Sequence, residues 1–66
     1  MDFETAIAQY IGRSVEVFMT NDFIQGTLLG VGNGVLTVNA VSSSYSSVTG
    51  PVSVLIQNTE FVRVLA

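Results

Sequence analysis

The chain has no cysteine, no histidine, no tryptophan and no lysine, and a single proline. Each absence excludes something. Without cysteine no disulfide can staple a domain this small, and without cysteine or histidine the usual zinc ligands are missing. Without histidine or cysteine, acid-base, thiol and metal-assisted catalysis lose their commonest groups. The only cations are Arg13 and Arg63, set against five carboxylates for a formal charge of −3. Proteins that hold nucleic acid gain affinity by neutralising phosphates with Lys and Arg, so RNA is disfavoured as a partner and DNA is not expected. An acidic balance also argues against an acidic membrane surface. Uninterrupted apolar runs are only a few residues long, which predicts no transmembrane helix. No metal and no cofactor are expected.

What is there is unusually apolar. Hydrophobic residues make up 48% of the 66 positions and charged residues 11%. A chain of this length makes one domain, residues 1–66, and buries only about 60% of its unfolded surface. The surplus apolar surface predicts that copies associate with one another. The acidic start, Met1-Asp2-Phe3-Glu4, lacks the basic character of a secretory signal. The expectation is synthesis in the cytoplasm. The Ser, Thr, Asn and Val content hints at a coat or appendage subunit deposited on a cell or spore surface.

Spacing predicts the elements. Asp2 is a helix cap, and Phe3, Ile7 and Ile11 form a helical stripe ending at Gly12, so a helix is expected over residues 2–11 with its stripe packed on the sheet or on a neighbour. Val15, Val17 and Met19 alternate with polar or outward residues, which gives a first strand over 14–20. Asn21-Asp22 is a turn signal. A second strand over 23–31 carries Gly26 and Gly30, which mark a bend or a close backbone approach. Gly32-Asn33-Gly34 is the clearest turn, with Asn33 expected in the left-handed conformation. Further strands are expected over 35–41, 51–56 and 60–65, with a break at Gln57-Asn58. The serine-rich segment from Ser42 to Gly50 reads as a long loop or arm. The fold class is mainly β: a short amino-terminal helix followed by five strongly bent antiparallel strands forming a small barrel.

No catalytic residues are assigned. Glu16, Asp22 and Glu60 read as solubilising surface carboxylates, and the serines have no neighbouring base. Gly30-x-Gly32-x-Gly34 opens a strand rather than a helix, unlike a phosphate-binding loop. Arg13 and Arg63 are expected to pair with Glu16 or Glu60, or with carboxylates of a neighbouring copy. The last two strands are short of charge and of lysine, with Pro51 only at the entry. Such edges aggregate unless paired. Val52, Val54, Ile56, Phe61, Val62 and Val64 are therefore the expected interface between copies, with Tyr45 as an aromatic anchor in the loop.

The order of these segments resembles the Sm-like family, which includes the eukaryotic Sm proteins and the Hfq-type RNA chaperones. The resemblance spans nearly the whole chain. Val17-x-Met19, the turn, Gly26-Thr27-Leu28-x-Gly30-Val31 and Leu36-x-Val38-Asn39-Ala40 resemble the first family motif, and Ile56-Gln57-Asn58 with Phe61 and Val64 resembles the second. The resemblance implies an SH3-like, Sm-like barrel and a homo-oligomeric ring in which strand four of one copy pairs with strand five of the next. It also implies a ligand or RNA site at Asn33, Gln57 and Asn58. The chain departs from the pattern there: Gly32 stands where an acidic residue is usual, and Gln57-Asn58 replaces arginine-glycine. Gln57 cannot supply the charge that grips a base in RNA-binding members. The final segment Glu60 to Ala66 also resembles small uncharacterised proteins of endospore-forming Firmicutes. The leading expectation is a self-assembling structural module, forming rings or stacked-ring fibres, and the alternative is a ring that binds single-stranded RNA.

Overall fold

A computed structural model describes residues 2–20, 22–41 and 49–65. It consists of one short helix and five antiparallel strands in a single sheet.

Helix α1 spans Phe3–Ala8. Asp2 caps it: its Oδ1 accepts the Thr5 backbone N–H at 2.8 Å, satisfying one of the orphan donors of the first turn. That bond, followed by the Thr5 side chain, holds the Asp2 carboxyl below its usual value. A carboxyl lowered on folding stabilises above its unfolded pKa and loses that contribution as pH falls through the folded one. Helical circular dichroism should therefore weaken on acidification below the ordinary carboxylate range. Asp2→Asn, which keeps an acceptor, should flatten that dependence without melting the turn at neutral pH.

Beyond Ala8 the chain tightens, with Tyr10 N–H donating to Ile7 O and Ile11 N–H to Ala8 O, both three residues back. Gly12 stops it at φ +92°. This shortens the expected helix. Only Ile7 reaches the core, at 6% exposure, while Phe3 (44%) and Ile11 (48%) face out. Winding at about three residues per turn past Ala8 carries Ile11 off the face that Ile7 shares with the core.

The strands are β1 Ser14–Met19, β2 Asp22–Gly32, β3 Val35–Ala40, β4 Gly50–Leu55 and β5 Thr59–Val64. Met19 pairs with Asp22, so the first reversal falls one residue earlier than the Asn21-Asp22 signal suggested. The period-two reading holds: Val15, Val17, Ile24, Leu28, Leu36, Val38, Ala40 and Val54 are buried together with Ile7, and Met19 packs against them. In the β2–β3 hairpin Asn33 (φ 53°) and Gly34 (φ 77°) are both left-handed, the requirement of a type I′ turn.

Sheet order is β4-β3-β2-β1-β5. Strand β2 is the pivot. Its first half pairs with β1 and its second half with β3, and Gly26 belongs to both ladders, opposite Val15 on one side and Ala40 on the other. A Cβ there would sit 2.9 Å from Ala40 Cα and closer still to the Asn39 carbonyl, so only glycine fits. A register shift between Leu28 and Gly30 leaves Leu29 bulged outward, which adds to the bend.

The sheet is not closed. Among the described residues β4 pairs only with β3 and β5 only with β1. The short 3-10 turn Ile56–Asn58 nonetheless links these two edge strands. Outer strands of a flat five-stranded sheet lie about 19 Å apart. Four steps of 3-10 geometry cover only about 8 Å. The sheet must therefore curl strongly, bringing its ends near each other without a ladder between them.

Candidate functional site

The two edges are the first feature. On β4, Val52 and Val54 point inward while Pro51, Ser53 and Leu55 point out. On β5, Val62 and Val64 pack on the core while Phe61 and Arg63 point out. Each edge strand thus commits one face to its own core. Val54 is itself a core residue, so what it offers a neighbour is its backbone. Ile56 sits in the 3-10 turn, half-buried against the core. Phe61 (54% exposed) and Leu55 (48%) are the large apolar side chains left open on the two edge strands. Tyr45 lies outside the described residues.

A groove of about 330 Å³ opens along β4, where the curl brings the end of β1 and the start of β2 beneath it. Met19, Ile24, Val52 and Val54 give it an apolar lining, and Asp22 adds a carboxylate.

The outer face of the sheet carries a row of aromatic rings. Phe18 stacks on Phe61 (centroids 4.4 Å apart, planes 18° from parallel) and meets Phe23 at 4.9 Å and 57°. The three are register partners across β2, β1 and β5. One step along, Arg63 binds Glu16, with Nε 2.6 Å and Nη2 2.5 Å from Oε1. This is the pairing expected of Arg63. Arg13 behaves otherwise: its Nη2 donates to the Leu65 carbonyl at 3.2 Å, tying the chain end to the start of β1. The Phe18–Phe23 pair was not foreseen, because an Asn21-Asp22 turn would have set Phe23 opposite Thr20; the reversal one residue earlier puts it opposite Phe18. Phe61 joins them only through the β1–β5 register, which no local signal encodes.

The turn rim is the third feature. Ile56 N–H donates to Gly34 O at 2.8 Å, which seats the Gln57-Asn58 break against the Asn33 turn. Asn33, Gln57 and Asn58 are all exposed there. Helix α1 reaches the same place, since Gly34 N–H donates to Glu4 Oε2 at 2.9 Å. The Glu4 contact escaped sequence reading because it spans most of the hairpin topology. The rim thus gathers three neutral amides and one carboxylate.

Among the described residues no group of three or more His, Cys, Asp or Glu is placed to hold a metal ion, and no helix is long and apolar enough to cross a membrane. Compared with known proteins, the chain matches no family model, no curated protein and no solved structure.

Proposed function

We propose that this chain is a self-assembling structural subunit with no catalytic role, whose copies join edge to edge, β4 of one against β5 of the next. The observation that carries the reading is the pair of edges at opposite ends of one open, curled sheet that have no further strand beside them among the described residues, each with an exposed large apolar side chain. Unpaired strand backbone is a template for another strand; neither edge carries a lysine, β4 has its proline at the second residue, Pro51, and β5 carries one charge of each sign, Glu60 and Arg63. A joint between two different edges is heterologous. It closes into a ring where the rotation allows and runs on as a fibre where it does not. On this reading the curled sheet is a small barrel of the Sm-like, SH3-like kind, completed by its neighbours.

Light scattering on an eluting peak tests it. Several copies of the 7.0 kDa chain should travel together at micromolar concentration, and a monodisperse monomer ends the proposal. Ser53→Lys places a charge on the β4 edge at an exposed, outward position. It should weaken assembly about tenfold or more while leaving the monomer folded.

One observation favours a second reading, binding of single-stranded RNA: the Gly34–Ile56 bond brings Asn33, Gln57 and Asn58 to one rim. The net charge of −3 and the Glu4 carboxylate at that rim oppose it. Titration with oligo-U and oligo-A at two salt concentrations decides; no binding at low salt removes this reading, because electrostatic help is greatest there.

A further inference from the structure

Asn33-Gly34 carries a chemistry that neither the assembly reading nor the RNA reading uses. It is the one Asn-Gly step in the sequence. Asparagine before glycine is the pairing most prone to lose its side-chain amide, because glycine has no Cβ to shield its nitrogen. In that reaction the Gly34 nitrogen gives up its proton and attacks Asn33 Cγ. The new N–C bond closes a succinimide ring, and the side-chain amide leaves as ammonia, taking up a proton. Water then opens the ring at either carbonyl. One opening gives aspartate. The other gives isoaspartate, which puts the Asn33 β-carbon into the backbone of the turn.

The turn both exposes this step and restrains it. Asn33 is exposed, with φ 53°, in the tight reversal between β2 and β3. Gly34 is tied on both sides: its N–H donates to Glu4 Oε2 at 2.9 Å, and its C=O accepts the Ile56 N–H at 2.8 Å. The proton that must leave is the one that Glu4 holds. Carboxylates are far too weak as bases to take a proton from a backbone amide. By accepting the bond, Glu4 stabilises the protonated nitrogen instead, and its negative charge opposes the amide anion that would replace it. Closing the ring also requires the nitrogen to turn from Glu4 towards Asn33 Cγ, which breaks this charge-assisted bond. The rest of α1 keeps Glu4 in place, since Asp2 caps its first turn and Ile7 is anchored in the core.

We propose that Asn33 is a deamidation site and that α1 guards it, with Glu4 holding the Gly34 nitrogen protonated and turned away. Native chain, Glu4→Gln and Glu4→Ala are kept in mildly alkaline buffer, and the Asn33 amide is followed by mass spectrometry of proteolytic fragments. Glu4→Ala should lose it about tenfold or more faster than the native chain, the protection a hydrogen bond to a charged group provides. Glu4→Gln, which keeps an acceptor without the charge, should fall between them. Hydrogen exchange on the same proteins should show the Gly34 N–H released in Glu4→Ala while the amides of β1 and β3 stay protected. Equal rates of amide loss in the native chain and in Glu4→Ala overturn the proposal, as does a native chain that reacts as fast as one unfolded in urea. A faster loss in Glu4→Ala accompanied by an equal rise in exchange throughout β1 and β3 also overturns it, because global unfolding rather than release of Glu4 would then open the site.

Discussion

Gly26→Ala should destabilise the fold by about 3 kcal/mol, the upper end of what overpacking usually costs, and Gly26→Val should give no folded protein. The added methyl would lie 2.9 Å from Ala40 Cα and press on the Asn39 carbonyl. Both obstacles are backbone in the β2–β3 ladder, so no side chain can swing aside. Relief would require separating the strands at the residue where β2 passes from one ladder to the other. For a domain of this size each kcal/mol lowers Tm by about 4–8 °C, so a fall of about 12–24 °C is expected in thermal melts. Gly30→Ala is the control. Nothing lies within 4 Å of a Cβ placed there and its φ is not left-handed, so its effect should stay within about 1 kcal/mol. Equal stability of Gly26→Ala and the native chain would mean that the close approach of β2 and β3 does not exist.

Leu36→Ala should leave a large fraction of the protein unfolded at micromolar concentration. Leu36 has no exposed surface and belongs to the one core cluster. Truncating such a leucine costs about 2–5 kcal/mol. At about 0.05–0.15 kcal/mol per residue, the whole chain has only about 3–10 kcal/mol to lose. Assembly binds folded copies alone, so raising the concentration should recover part of the folded signal. Denaturant titrations at two protein concentrations measure both effects. Leu29→Ala, at the outward bulge, should change stability by about 0.5 kcal/mol or less. If Leu36→Ala behaves like Leu29→Ala, the core is misplaced.

The fold was legible where the determining physics is local. Val15 and Val17 alternate with outward residues because successive strand side chains take opposite faces. Gly32-Asn33-Gly34 specifies its turn because few residues accept two successive positive φ values. The Asp2 cap needed only a carboxylate three residues before a free N–H. The helix was expected to run to Ile11, but the chain past Ala8 tightens, and spacing at 3.6 residues per turn does not foresee it. At the candidate site, Arg63 with Glu16 was among the expected pairs, whereas Arg13 with the Leu65 carbonyl was not, since a backbone acceptor carries no mark in the sequence.

By itself the sequence determined that this chain is mostly strand, which positions face the core and where it reverses, because side-chain alternation and turn conformation act over two to four neighbouring residues. Only the tertiary structure decided that the sheet, whose last two strands were expected as edges, stays open and yet curls enough for the three residues Ile56–Asn58 to join β4 to β5. It also decided that Phe61 completes the aromatic row and that Glu4 meets the Asn33 turn. The reason is physical: strand pairing is made by backbone groups common to every residue, so partners distant in sequence are chosen by the burial of a shared core, which exists only once the whole chain has folded.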